Sequence, residues 1–285
     1  MKRLISLAVL LTSTTLHANS NHQIEYGVIN FDSFYASTNI DKTLSFLDYT
    51  YFFTEIKSDD SPIELAAKLQ RINRFKTNIT LDALGFLNAS GQYYLANGYD
   101  IEYQVLYDSN IWGIDEDIGL NGGVIVNFPS LDNWQYGLGL QSNIFYRDSD
   151  RLYDNFDGKN WKTTTLAKFQ ATYTNLEKGK GWYIKTQLGY HWDSNTAHFE
   201  SDINYFHSKY HSSALKVNYT VDKYDPIKRK LTSIGLAQKY WFSDSTAIDF
   251  GISFNTEQED YPGSDKFYSD EDEYFFFDLN GTWRF

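Results

Sequence analysis

The sequence predicts an all-β protein, a transmembrane antiparallel up-and-down β-barrel of about 14 strands, with 12 as the alternative. Three observations carry that reading. The last thirteen residues, Glu273 to Phe285, read EYFFFDLNGTWRF and place Phe275, Phe277, Leu279, Gly281, Trp283 and Phe285 at every second position. Period-two alternation is the mark of a strand with one apolar and one polar face. The chain opens with the pattern of a secretory leader. Between the two ends, short alternating segments rich in Tyr, Phe and Trp recur with turn residues between them, and no later segment approaches the roughly 18 apolar residues of a membrane helix. If such a chain enters a bilayer, only a closed barrel satisfies its backbone there. A soluble all-β domain is the wider alternative.

The leader is MKRLISLAVLLTSTTLHANS. Lys2 and Arg3 form a basic start, Leu4 to Leu11 an apolar core, and Leu16-His17-Ala18 a cleavage site. The apolar run is too short to span a bilayer, so residues 1–18 read as a removed signal peptide and 19–285 as the barrel. The last strand resembles the C-terminal assembly signal of Gram-negative outer-membrane β-barrels. On that resemblance Phe277, Leu279, Gly281, Trp283 and Phe285 form the signal, the barrel-assembly machinery is a partner, and the destination is the outer membrane.

Composition agrees with strands. The 285 residues hold 23 Tyr, 21 Phe and 7 Trp, only 4 Pro and no Cys. Aromatics suit strands and the girdles at the two bilayer interfaces. The mean hydropathy of −0.49 fits a barrel with a polar lumen and polar loops. The net charge is −12, and loss of Lys2 and Arg3 takes 25 basic residues to 23 against 37 acidic, a mature value of −14. A nucleic-acid partner needs a basic face and is excluded.

Taken in order, strands are expected near Ile24–Ser37 and Lys42–Ile56. An acidic turn at 57–61 leads to Pro62–Leu69, read as a strand with a helix as its alternative. Further strands are Phe86–Ala96, Tyr99–Tyr107, Ile118–Phe128, Trp134–Tyr146, Trp161–Asn175 and Trp182–Trp192. The series closes with His198–Tyr210, Ser213–Asp222, Arg229–Phe242, Thr246–Thr256 and Glu273–Phe285. Asn97-Gly98 supplies the positive φ angles of a tight hairpin. The longest loops fall at 147–160 and 257–272. Short turns and longer loops tend to alternate, as they do when short turns share one side of a membrane.

Residues 51–71, with Tyr51-Phe52-Phe53 before Ser61-Pro62-Ile63-Glu64-Leu65-Ala66-Ala67-Lys68-Leu69-Gln70-Arg71, are similar to a stretch found in a family of bacterial porins. That family carries a tyrosine-rich strand, a turn with Pro, and a Glu-Ala-Ala-aromatic-Leu run. Lys68 stands where the family has an aromatic. The resemblance implies barrel membership and leaves the solute open.

No catalytic signature is present: the chain lacks G-x-S-x-G, H-E-x-x-H, the phosphate-binding loop and the dinucleotide fingerprint. No cofactor is expected. His191 with Ser194, His207 with Ser208 and His211 with Ser212 are the pairs a lipid-cleaving barrel would need, but adjacent residues on a strand point to opposite faces, which weakens His207/Ser208 and His211/Ser212. Asp115-Glu116-Asp117 and Asp270-Glu271-Asp272 offer oxygen ligands for Ca²⁺; as hydrated outer loops bridged to lipopolysaccharide they need no metal site, and none is expected.

The inward face carries the functional expectation. By parity the pore-lining residues are Lys68, Glu102, Gln104, Asp108, Gln141, Lys168, Lys185, Gln187, Lys216, Lys239, Asp249, Asp278 and Arg284, with Gln135, Gln170, Glu200 and Asp202 on the same face. Charges at membrane depth persist only where they face water or a partner. Lys168, Lys185, Lys216 and Lys239 could form a basic stripe opposite Glu102 and Asp108 and set up a transverse field; pairing that merely steadies the wall is the equal alternative. The expected function is a porin-like channel for passive diffusion of small hydrophilic solutes or ions, not an enzyme. A non-conducting receptor or structural barrel and an enzyme acting on envelope lipids are the alternatives. Outer-membrane lipids and lipopolysaccharide are the expected surroundings.

Overall fold

A computed structural model of the chain describes residues 21–33, 42–57, 59–80, 86–109, 118–147, 160–191, 195–224, 227–260 and 269–285. The expected signal peptide, Ser194 and Asp115–Asp117 lie outside these residues. So do the side chains of Asp108 and of Asp270–Asp272.

Fourteen strands make one closed antiparallel barrel. They are β1 His22–Ser33, β2 Lys42–Phe52, β3 Arg74–Thr80, β4 Phe86–Tyr94, β5 Asp100–Ser109, β6 Ile118–Asn127 and β7 Trp134–Arg147. The second half is β8 Asn160–Glu177, β9 Lys180–His191, β10 Thr196–Ser208, β11 His211–Tyr224, β12 Ile227–Trp241, β13 Thr246–Asp260 and β14 Ser269–Arg284. Each strand pairs with its neighbours in sequence, and β14 returns to β1. The seam runs from Gln23 opposite Arg284 to Ser33 opposite Tyr274. His22 N–H donates to the Phe285 carbonyl at 3.0 Å, Phe285 N–H donates back at 2.9 Å, and the two rings stack with centroids 5.6 Å apart. Closure leaves no unpaired strand edge, which hydrocarbon would penalise heavily.

The two faces of the wall differ as the alternation requires. Outward positions such as Leu138, Leu140, Leu236, Phe277 and Leu279 are more than half exposed. The positions between them carry amides, hydroxyls and charges, among them Gln170, Asn127, Thr282 and Asp100, which are nearly or fully buried. A water-soluble protein would bury the first set and expose the second. No described helix is long and apolar enough to cross a membrane.

Turn chemistry follows the sequence. Asn97 and Gly98 take φ of 64° and 89°, and Lys178 and Gly179 take 49° and 76°. Both pairs are the left-handed combinations that suit a tight connection between twisted strands. The connections at 95–99, 128–133, 178–179, 209–210 and 242–245 share one end of the barrel with both termini. The β10–β11 turn falls at 209–210, two residues earlier than expected, and the expected loop 257–272 shrinks because β13 continues to Asp260 and β14 resumes at Ser269.

One expected strand is corrected. Residues 62–69 do not form a strand: Ala66–Leu69 is a single helical turn, α1, within the long β2–β3 connection. The missing strand is Arg74–Thr80, in which Phe75, Thr77 and Ile79 alternate with Arg74, Lys76 and Asn78. Pro62 lacks an N–H to join a ladder, and Ala66-Ala67-Lys68-Leu69 are good helix formers, so the helical alternative prevails.

Candidate functional site: the lumen and its plug

The β2–β3 connection folds back into the barrel at the end that holds the termini. It docks through three apolar contacts. Phe52, Ile56, Ala66, Ala67 and Ile72 form one buried cluster. Ile63 packs with Trp241 and Ala247, and Leu65 with Tyr183 and Phe206. This explains why inward positions of β9, β10, β12 and β13 turn apolar at this end and polar further up.

Polar contacts fix the same segment. Ile63 N–H donates to the Lys209 carbonyl at 3.1 Å, and its own carbonyl accepts from Arg284 Nη1 at 3.0 Å. Ser212 Oγ donates to Glu64 Oε2 at 2.9 Å, and Lys68 Nζ donates to the Tyr183 hydroxyl at 2.7 Å. The Arg71 guanidinium caps the β4–β5 turn, donating to the carbonyls of Leu95, Gly98 and Tyr99. Asp59 accepts from Ser61 N–H at 2.8 Å and from Gln70 Nε2 at 3.1 Å. Slight burial would raise the Asp59 pKa, but these hydrogen bonds outweigh it and hold the carboxyl below the usual range. Lys68 and Arg284 are thus fastenings of the plug, not residues along the upper wall.

Above the plug lies a cavity of about 410 Å³, lined in part by Glu102, Gln104, Gln141, Lys168, Lys185 and Gln187 of the expected set. Arg74, Lys76, Gln92 and Glu200 line it too, with the hydroxyl-bearing Thr50, Ser90 and Tyr103. On this side a network spans the lumen. Glu102 accepts from Lys185 Nζ at 2.6 Å, Gln170 Nε2 at 3.0 Å and Asn127 Nδ2 at 3.0 Å. Asp100 accepts from Asn127 at 2.7 Å, Gln135 at 2.7 Å and Gln92 at 3.0 Å. Gln170 Nε2 also reaches Asn127 Oδ1 at 3.0 Å, and Gln187 donates to Gln170 Oε1 at 2.6 Å. Side chains of β5 and β6 meet those of β8 and β9 because β7 presents Gly137 and Gly139 between them. A Cβ at Gly137 would overlap the Asn127 carboxamide oxygen, and one at Gly139 the Val124 carbonyl and the Ile125 side chain.

Across the lumen the charges pair along the wall. Lys239 Nζ lies 3.2 Å from Asp249, which also accepts from Asn280 at 2.5 Å. Asn280 reaches Asp278 at 3.2 Å, and Lys216 stands opposite Asp202 in the β10–β11 register. Lys76 and Asn78 both meet Asp48. Of the two expected arrangements, a transverse field or pairing along the wall, these contacts are of the second kind: Lys185 binds Glu102 directly and Lys239 binds Asp249. Asp108 keeps its place on β5, opposite Phe86 and Gly119.

Sequence reasoning missed Asp100, Asn127 and Gln92, and with them Arg74 and Lys76. The signal for the first three was parity within their own strands: Asp100 with Glu102 and Gln104 on β5, Asn127 with Gly123 on β6, and Gln92 with Ser90 on β4. Arg74 and Lys76 were missed because their strand was placed one segment early.

Among the described residues the histidines do not assemble a catalytic set, and the expected His191–Ser194 pair lies partly outside them. His191 is buried on the inward face, whereas His207 and His211 stack outside with centroids 4.4 Å apart. His207 Nε2 lies 2.7 Å from Ser213 Oγ, not Ser208, and His211 Nε2 lies 2.8 Å from Gln238. Among the described residues no acid or amide orients the second ring nitrogen of His207, as a base for nucleophilic attack requires. No described group of three His, Cys, Asp or Glu residues could hold a metal ion.

No protein-family model and no curated protein matches the chain. Solved structures do. The chain is similar to the outer membrane protein Omp33 of Acinetobacter baumannii, with TM-score 0.56 and 14% identity over 93% of this chain and 98% of that one. It is similar to the CymD monoaromatic hydrocarbon channel, with TM-score 0.53 and 8% identity over 93% and 89%. OprB of Pseudomonas putida matches with TM-score 0.50 and 9% identity over 98% and 96%. Identities this low speak for the fold alone, and all three are barrels of the same kind: the chain has the fold of an outer-membrane β-barrel.

Proposed function

We propose that this protein is a porin-like channel of the Gram-negative outer membrane that passes small hydrophilic solutes by diffusion. The observation that carries the proposal is the cavity of about 410 Å³ inside the wall, lined by charges and amides. Fourteen strands enclose more space than side chains alone fill. Lipid tolerates such groups only when they face water or one another. Glu102, Gln104, Gln141, Lys168, Lys185 and Gln187 line the path, with Lys216, Lys239, Asp249 and Asp278 on the far wall. The apolar outer face meets outer-membrane lipids and lipopolysaccharide. Residues 1–18 direct export and are removed, and the β14 pattern ending in Phe285 addresses the barrel-assembly machinery. The mechanism is passage without covalent chemistry, so the protein is not an enzyme.

The plug favours one second reading, a non-conducting barrel that presents its outer loops to a partner. Liposome swelling separates the two. Vesicles holding the folded protein should swell in small sugars, with the rate falling as the sugar grows. Swelling no faster than in empty vesicles favours the second reading.

A further inference from the structure

The cavity is not neutral. Arg74, Lys76, Lys168 and Lys185 supply four cations to its lining, while Glu102 and Glu200 supply two carboxylates. Lys76 is taken by Asp48 and Lys185 by Glu102. Glu200 lies 3.7 Å from His198. Arg74 on β3 and Lys168 on β8 remain, and neither has a hydrogen-bond or ion-pair partner among the described residues. They stand on opposite flanks of the β4–β7 arc and open onto the same space. Glu200 attracts Lys168 through space but does not contact it. A half-buried cation without a contacting counter-charge is costly, and an anion entering from solution would relieve that cost. The guanidinium suits a carboxylate by its two-pronged geometry, and the ammonium acts as a point charge from the facing flank.

Resting on the channel reading above, we infer that the lumen holds a binding subsite for a small hydroxylated monocarboxylate, built on Arg74 and Lys168. The remaining lining sets the rest of the ligand. Gln104, Gln141 and Gln187 offer amides to hydroxyl groups, and a cavity of about 410 Å³ holds a molecule of roughly sugar-acid size. Glu200 sits on the same wall, with its side chain half exposed, and repels a second carboxylate. That selects single over double charge.

Calorimetry on the folded, detergent-solubilised full chain tests the subsite with three probes of matched size: gluconate, neutral sorbitol and cationic glucosamine. Gluconate should bind about tenfold or more tightly than sorbitol, with glucosamine weakest, a tenfold step being about 1.4 kcal/mol. Arg74→Gln and Lys168→Gln should each weaken gluconate about tenfold and leave sorbitol unchanged. Lys180→Gln, exposed at the β8–β9 turn and outside the cavity, should alter neither. Equal binding of gluconate and sorbitol, or gluconate binding indifferent to both cavity substitutions, overturns the subsite. Calorimetry does not need conduction, so the two readings fail separately. Gluconate bound by a barrel that passes nothing refutes the channel alone; a conducting barrel blind to gluconate refutes the subsite alone.

Discussion

On the β5–β9 side of the lumen, Asp100 and Glu102 are met by side chains that reach across from β7, β8 and β9. On the β11–β14 side, Asp249 is met by Lys239 and Asn280 from the strands directly beside it. Both sides draw on the same residue types at the same inward parity. Glycines on inner faces make room on both sides: Gly137 and Gly139 of β7 admit long polar side chains from β5, β6 and β8, and Gly251 of β13 admits the Asp278 carboxylate. What separates the two sides is reach. On the first, amides of β7 and β8 and the Lys185 ammonium bridge several strands, whereas on the second the partners sit on adjacent strands.

The largest expected effect breaks the plug's hold on the β9–β10 wall. Phe206 is 2% exposed and packs against Leu65 and Tyr183. Phe206→Ala should cost about 3–5 kcal/mol, read as a lower urea midpoint in lipid, and should raise the conductance of whatever fraction remains folded. Next comes the contrast between the faces. Leu140 points outward and is 60% exposed, so Leu140→Lys should cost about 2–4 kcal/mol if its depth is near the bilayer centre. Gln141→Lys, one residue on and facing the cavity, should cost far less by the same measurement. A similar loss at both positions would refute the assignment of faces.

A smaller effect sharpens the comparison between the two walls. Glu102→Gln removes the charge that holds Lys185 and should lower stability by about 1–3 kcal/mol. It should also shift the channel toward anions, read as a change in reversal potential. Asp249→Asn, whose partner lies on the wall, should move the reversal potential less. The smallest effect is at Asp59. Its carboxyl is held below the ordinary value, so its contribution is complete above the unfolded pKa of about 3.9 and fades as pH falls through the lower folded value. Because the group is largely exposed, the urea-midpoint deficit of Asp59→Asn should be slight at pH 6 and should vanish below about pH 3.

Most of the wall was legible from alternation alone. The faces of β5, β7, β9 and β14 follow directly from period two, and Asn97-Gly98 marks its turn by the φ angles it supplies. The plug was not legible. Pro62–Leu69 alternates well enough to pass for a strand, and its choice of helix depends on Trp241, Tyr183 and Phe206, which lie far along the chain. The total of fourteen survived because the misplaced strand was replaced by Arg74–Thr80. The Glu102–Lys185 pair was equally hidden, since sequence gives the parity of each residue but not the curvature that β7 permits between them.

Single-channel conductance of the refolded mature protein in a planar bilayer, with reversal potentials under a salt gradient, tests the central claim most directly. The account predicts discrete steps and, with four cations against two carboxylates in the cavity lining, a reversal potential of the sign for anion preference. Silence from protein shown to be folded would contradict the open channel, leaving the plug as a permanent closure.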